Sequence, residues 1–284
     1  MRRRWAAAAA VPLLLLTACG PQPSAGNPDP ETGTGSMSAD EVVLRVSQTG
    51  GFVPPSLIAS RLPTVTVYGD GRVISEGPIT MIYPGPALPN VQERSLSPDQ
   101  VDALVERAIA AGVGGAPDVG QPAITDNPNT RFTLTTDGTT KELEVYALSE
   151  TMGLTQAQIR NRKALTDLIE SMTTAPGSGE PTAYEPAAVA AIATAWVAPG
   201  ADAGLVAPEP VAWPGPALPG EPMGAADLGV GCVVAEGDQA AAVLAAASKA
   251  NAATPWTSGG KKWSVTLRPL LPDETGCADL REQS

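Results

Sequence analysis

The chain contains no histidine and few aromatic side chains. Its 284 residues include three Cys, five Trp, four Tyr and two Phe. Without histidine, the sequence excludes Ser-His-Asp and Cys-His catalytic relays, histidine zinc sites and imidazole acid–base chemistry near neutral pH. Three cysteines are also too few for a four-thiolate zinc or iron–sulfur site. We therefore predict no metal and no cofactor, and carboxylates remain as the plentiful side chains that could act in catalysis.

Basic side chains are also scarce. The chain has 18 Lys and Arg against 30 Asp and Glu, which gives a net charge of −12. A surface of this sign repels nucleic acid, and no basic stripe with interleaved aromatic residues occurs. We predict that nucleic acid is not a partner.

The first 18 residues have the pattern of a lipoprotein signal peptide. Three arginines at 2–4 precede an apolar run over 5–16, which is too short to span the ~30 Å hydrocarbon core of a bilayer. The four residues LTAC at 16–19 resemble a bacterial lipobox. The resemblance implies cleavage before Cys19, lipidation of its sulfur and stable anchoring by acyl chains at the extracytoplasmic face of the cell membrane. The alternative is an ordinary secretory signal with a chance cysteine near its end.

Composition divides the rest of the chain. Residues 19–38, which follow the cleavage point, are rich in Pro, Gly, Ser and Thr, and predict a lipid anchor with a flexible tether spanning on the order of 25 Å. Residues 39–173 and 187–284 predict an N-terminal and a C-terminal α+β domain. Residues 174–186 have the composition of a linker between them.

Turn and capping signals place the elements of the first block. Asp137-Gly138 predicts a hairpin, as does Gly69-Asp70-Gly71 earlier in the chain. In the later hairpin, Phe132 should face Leu143 and Arg131 should face Glu144. Capping boxes at Ser97 and Thr155 predict two helices, the first with an apolar face that includes Ile109. Strands and helices do not alternate regularly, which favours the α+β class.

The second block is rich in Ala and Pro. The periodicity of residues 187–197 fits a strand or a short helix, and we favour a strand. Asp238 can cap an alanine-rich helix that ends near Ala252. A turn at Gly259-Gly260 places Trp256 opposite Trp263. These tryptophans could form an exposed platform for a sugar or peptide, but we favour the packed face of a hairpin because aromatic residues are scarce.

A heptapeptide occurs twice. YPGPALP at 83–89 and WPGPALP at 213–219 are identical at six of seven positions. Each copy precedes a predicted helix and hairpin, so the chain could contain two small mixed sheet-plus-helix modules that arose by internal duplication. Coincidence in a chain rich in Pro and Ala is the alternative.

Two cysteines remain if Cys19 is lipidated. Cys232 and Cys277 form an even pair, and outside the cytoplasm we expect them to form a disulfide. A redox-active pair is disfavoured because such pairs usually have C-x-x-C spacing near a helix start.

The loop between the first helix and the following strand is rich in Asp and Asn. Asp118 and Asp126 could contribute to a binding site, because oxygen ligands suit calcium and paired carboxylates suit glycoside hydrolysis. The spacing of neither site is present. Asp and Asn are also common turn residues, and we favour that interpretation.

Several strings resemble one family. TVTVYGDGRVI, YPGPALP, ITDNPNTRFTLTTDG, VYAL and TPWTSGGKKW with LRPLLPDE are similar to an uncharacterised family of predicted actinobacterial lipoproteins. The resemblance implies an extracytoplasmic location and supports pairing of Cys232 with Cys277. It implies no catalytic residue and no activity.

These patterns favour binding over catalysis. The leading hypothesis is a non-catalytic lipoprotein of the cell envelope that binds a protein, a peptide or a wall component. One alternative is a carboxylate-dependent hydrolase of the envelope. The other is an inhibitory or structural module that acts through the hairpin tip at Gly259-Gly260.

Overall fold

A computed structural model describes residues 37–174, 179–198, 208–224 and 228–282. The predicted signal peptide, Cys19 and nearly all of the tether predicted for 19–38 lie outside the described residues. The described residues belong to one compact unit. Within the described ranges, no helix is both long enough and apolar enough to cross a membrane.

The described residues form thirteen strands and five helices, and the predicted α+β class is confirmed. The strands are β1 (Val42–Thr49), β2 (Val65–Tyr68), β3 (Arg72–Glu76), β4 (Val91–Ser95), β5 (Asn129–Thr136), β6 (Thr139–Tyr146), β7 (Thr182–Ala183), β8 (Ala188–Ala195), β9 (Val211–Ala212), β10 (Glu221–Pro222), β11 (Gly231–Glu236), β12 (Trp256–Ser258) and β13 (Lys261–Pro269). The helices are α1 (Pro55–Ser60), α2 (Pro98–Ala110), α3 (Gln156–Thr174), α4 (Gly237–Ala247) and α5 (Cys277–Glu282).

Seven strands form the first sheet, in the order β6-β5-β1-β2-β3-β4-β7. Both predicted hairpins are present, and Asp137 and Gly138 have the positive φ angles, 50° and 68°, that a tight hairpin turn needs. Phe132 faces Leu143 as predicted. Arg131 faces Glu144, and its Nη2 lies 2.8 Å from Glu144 Oε1.

Two helices cover one face of this sheet. Both begin at the predicted capping boxes, because Ser97 and Thr155 exchange side-chain and backbone hydrogen bonds with the glutamine three residues later. Their buried side chains pack on the apolar residues of β1, β2, β3, β5 and β6. The placement of Ile109 on the buried face was wrong. It is exposed because, at 100° per residue, it lies about 80° from Val101, at the edge of the apolar stripe.

Six strands form the second sheet, in the order β10-β11-β8-β13-β12-β9. Its central strand, β8, confirms the strand predicted over 187–197. The hairpin of β12 and β13 turns at Gly259-Gly260, and Trp256 faces Trp263 as predicted.

The central strand β8 is buried on both faces. Ala191 and Ala193 contact the core under α4, whereas Ala190 and Ile192 contact the core shared with α1 and α5. Small side chains let the helices approach the sheet closely. The cap predicted at Asp238 was wrong, because α4 already begins at Gly237, and it ends at Ala247 rather than near Ala252.

Segments from each part of the chain pack on the other sheet. Helix α1 precedes most of the first sheet in sequence, yet it packs on β8 and β13 of the second sheet. Conversely, Leu271 packs with Tyr68 and Ile74 of the first sheet. Within the segment predicted as a linker, Thr182 and Ala183 pair with β4. The division into domains at 39–173 and 187–284 stays a prediction.

The two heptapeptides have different surroundings. Tyr83, at the start of the first copy, is exposed, whereas Trp213 at the start of the second copy is buried. The hairpins that follow the two copies also join their sheets differently. After the first copy, the first strand of the hairpin, β5, pairs with β1. After the second copy, the second strand of the hairpin, β13, pairs with β8. The similarity of the heptapeptides therefore does not extend to the strand order.

The predicted disulfide is confirmed. Cys232 on β11 and Cys277 at the start of α5 are bonded, with 6.0 Å between their Cα atoms. The bond attaches α5 to the second sheet, where Leu280 is buried.

Replacing both cysteines by serine is expected to lower the free energy of unfolding by about 2–4 kcal/mol. The disulfide closes a loop across a sequence separation of 45 residues, and its loss gives the unfolded chain more conformational freedom. Urea unfolding of the double variant should match that of the reduced wild-type protein. An unchanged free energy of unfolding would contradict this prediction.

Candidate functional site

The predicted tryptophan pair contributes mainly to packing. Trp256 is only 1% exposed, and its ring meets that of Trp213 edge-on, with 5.4 Å between the ring centroids. Trp263 is partly buried against the same core, and its Nε1 donates to the carbonyl oxygen of Ser258. The structure therefore favours the packed-hairpin interpretation over an exposed platform.

Asp118 and Asp126 both lie exposed in their loop. The Asp118 carboxylate accepts hydrogen bonds from Gln158 Nε2 and from the backbone N–H of Gly120, which attaches the loop to α3. Asp126 accepts from the neighbouring Thr125 hydroxyl. Within the described ranges, no three Cys, Asp or Glu side chains are grouped so as to hold a metal ion. Both aspartates therefore have the contacts of ordinary loop residues.

A cavity of about 630 Å³ opens beneath the loop that connects β3 to β4. This volume is in the range typical of small-molecule sites. One wall comes from β13 and Ala252, and the loop supplies the other. The walls are mostly apolar, and they include Leu62, Ala87, Leu88, Val265 and Leu267.

Four prolines shape this loop, at positions 78, 84, 86 and 89. Because proline has no backbone N–H, the loop cannot continue as a regular strand. Its ends are tied together, since the N–H of Gly77 donates to the carbonyl oxygen of Asn90 over 2.7 Å. Its middle is hydrogen-bonded to the segment between α4 and β12, because the N–H of Ala252 donates to the carbonyl oxygen of Gly85 over 2.9 Å. The loop therefore covers one side of the cavity.

The mouth of the cavity has apolar side chains that face water. Ile79 and Ile82 line the cavity, yet they are 77% and 63% exposed. Met81, between them, is 95% exposed and does not line the cavity. Apolar side chains clustered in this way are typical of binding surfaces.

Among the described residues, Glu76 at the end of β3 is the one ionisable residue that lines the cavity. Partial burial raises the pKa of its carboxyl group, and the positive charge of Arg268 opposes this shift. No second carboxyl group from the part of the chain that the structure describes lines the cavity, so these residues do not supply there the acid–base pair that glycoside hydrolysis requires.

A second, polar cleft of about 400 Å³ lies along β1, β5 and β6. At one end, Asp273 Oδ1 accepts hydrogen bonds from Arg45 Nη2 and Tyr68 Oη, each over 2.7 Å. Asp279 also lines the cleft. Its carboxylate accepts hydrogen bonds from the backbone N–H groups of Thr275 and Gly276, and these bonds lower the pKa of the carboxyl group. These two carboxylates are therefore engaged in structural interactions.

Comparison of the chain with protein-family models, with curated proteins and with solved structures gives no match. The apolar cavity was not predicted from the sequence. The one signal that could have indicated it is the string ITMIY at 79–83, where large apolar residues stand between prolines in a segment without helix or strand periodicity.

Proposed function

We propose that the protein is a lipoprotein anchored to the extracytoplasmic face of the cell membrane through Cys19, and that its folded body is a non-catalytic binding module. The LTAC motif after a basic and apolar segment supports the anchor. The disulfide between Cys232 and Cys277 is consistent with an oxidising location.

The cavity beneath the β3–β4 loop is the observation that supports binding. It combines apolar walls, exposed apolar side chains at its mouth and, within the described ranges, a single ionisable group. Binding sites for small molecules commonly have this composition, in which a few polar groups orient a largely apolar ligand. Catalysis by paired carboxylates has no comparable support in the cavity.

One observation supports a second candidate function. The hairpin tip at Gly259 and Gly260 is exposed, so it is free to enter a groove of another protein. An inhibitory or structural module of this kind would bind its partner without using the cavity. The two functions therefore differ in which substitutions abolish binding.

The anchor is tested by comparing wild-type protein with Cys19→Ala. We expect the wild-type protein in the membrane fraction, with a mature N-terminus at Cys19 and a mass that includes acyl groups. The Cys19→Ala protein should lack those groups. A wild-type protein without acyl groups would contradict the anchor.

Binding is tested by purifying the protein from its native envelope under mild conditions and analysing co-purified small molecules by mass spectrometry. We expect one class of molecule with the wild-type protein, and its loss from Ala87→Phe, which fills the cavity. A protein partner that is captured by both forms, and lost when Gly259 and Gly260 are replaced, would instead support the hairpin-tip function.

A further inference from the structure

We propose that the cavity binds an apolar molecule bearing a single cationic amine, with the amine against the carboxylate of Glu76 and the apolar part against the walls and mouth. This inference rests on the proposed binding function and names the chemical class of its ligand. It concerns an individual small molecule, because the cavity volume of about 630 Å³ suits a ligand of that size.

The apolar part of the ligand follows from the walls and the mouth. Leu62 and Leu267 are buried residues whose surfaces reach the cavity, so the inner end is apolar. Ile79 and Ile82 continue this surface outward while remaining largely exposed. An apolar ligand that extends from the inner wall to the mouth would remove both isoleucines from water, which favours binding.

The amine follows from the state of Glu76. No hydrogen bond or ion pair within the described residues involves its carboxylate, and Glu76 lines the cavity while the residue remains exposed to water. Arg268 is the nearby cation, but it already pairs with Glu274 over 2.7 Å and is fully buried. A ligand that fills the cavity would displace water from this carboxylate, and a cation on the ligand would replace that water with a charge-assisted hydrogen bond.

The polar neighbours of Glu76 do not supply that cation. Asn90 also lines the cavity, and its amide donates to the carbonyl oxygen of Pro78 over 2.8 Å. Ser60, Thr80 and Thr266 complete the polar lining, and all three are uncharged. Of the lining residues that the structure describes, Glu76 alone therefore carries a charge.

The test uses the full-length Cys19→Ala protein and displacement of the fluorescent probe N-phenyl-1-naphthylamine. Three competitors share one alkyl chain and differ in the head group: dodecylamine, dodecanol and dodecanoate, each below the concentration at which it aggregates. We expect dodecylamine to bind about tenfold more tightly than dodecanol, because it adds a charge-assisted hydrogen bond, and dodecanoate to bind most weakly.

Variants assign these differences to the cavity. Glu76→Gln preserves the shape of the side chain and should weaken dodecylamine about tenfold while leaving dodecanol unchanged. Ile79→Ser should weaken all three competitors. Met81→Ser is the matched control in the same loop and should weaken none, because Met81 does not line the cavity. In Ala87→Phe the cavity is filled, so any probe displacement that remains reports binding elsewhere on the chain. Circular dichroism confirms that each variant is folded.

Each contrary outcome has a defined meaning. Equal affinities for amine, alcohol and carboxylate that are lost in Ala87→Phe would overturn the amine while leaving the binding function intact. Equal losses in Ile79→Ser and Met81→Ser would identify the loop as a general apolar surface, such as one that contacts lipid, and would also overturn the inference. Failure of all three competitors to displace the probe from the cavity would overturn it as well, whereas co-purification of native ligands tests the binding function independently.

Discussion

Replacing Glu274 by alanine is expected to lower the free energy of unfolding by about 3–5 kcal/mol. Its Oε1 lies 2.7 Å from Arg268 Nη2, and the two side chains are only 1% and 0% exposed. Its Oε2 accepts a hydrogen bond from the backbone N–H of Leu271 over 2.7 Å. The substitution leaves the guanidinium of Arg268 without its carboxylate in a buried site, and removing one partner of such a pair is costly.

A matched control separates burial from charge. Lys163 and Asp167 form an ion pair of the same length, 2.7 Å, on the exposed face of α3. Asp167→Ala should therefore lower the free energy of unfolding by less than about 1 kcal/mol. The double variant Arg268→Met with Glu274→Leu should recover much of the loss of Glu274→Ala, because it leaves no unpaired charge. Similar losses for Asp167→Ala and Glu274→Ala in urea unfolding would contradict this account.

Replacing Arg162 by methionine is expected to lower the free energy of unfolding by about 4 kcal/mol. Arg162 lies on the buried face of α3 and is only 2% exposed. Its guanidinium donates to the carbonyl oxygens of four residues, Val119, Gly120, Tyr146 and Ala147, over distances of 2.6–3.1 Å. Methionine preserves much of the volume but donates nothing, and each acceptor left without a partner costs about 1–3 kcal/mol when water cannot reach it.

Arg160 supplies the control for this substitution. It lies on the same helix but is exposed, so Arg160→Met should change the free energy of unfolding by less than about 0.5 kcal/mol. Hydrogen exchange should also report the difference. Arg162→Met is expected to increase exchange in the segment around Val119 and Gly120, and Arg160→Met is not. Equal effects of the two variants would show that the hydrogen bonds of Arg162 contribute little.

Sequence patterns predicted those elements whose determinants lie within a few residues of each other. The Asp137-Gly138 hairpin follows from the backbone preferences of two residues and from the alternation of the strands beside them. The helix start at Ser97 follows from a hydrogen-bond exchange across three residues. The Cys232–Cys277 pair is a different case, since it followed from the number of cysteines rather than from local structure.

The sequence did not predict Arg162 as a buried residue, because the acceptors that make its burial favourable are distant. Ala147 is 15 residues away and Val119 is 43 residues away. The spacing of apolar residues along α3 therefore does not indicate that Arg162 is buried. The same reason applies to α1, whose partners β8 and β13 follow more than a hundred residues later in the chain.

The sequence did not predict the candidate cavity, for a related reason. Its mouth comes from Ile79 and Ile82, its roof from the heptapeptide that follows, and its opposite wall from Val265 and Leu267. No local pattern joins such distant segments. The sequence instead directed attention to Trp256, whose ring is buried by contact with Trp213.

The packing of the C-terminal segment on the first sheet has a consequence for the order in which the protein matures. Residues 270–273 provide the acceptors for Arg45, Tyr68 and Tyr184, the last of which donates to the carbonyl oxygen of Leu270 over 2.8 Å. Because synthesis proceeds from the N-terminus, these acceptors leave the ribosome after every strand of the first sheet. A nascent chain can therefore form its hairpins early, but a product truncated before Leu270 lacks the cover of the first sheet and is exposed to proteases.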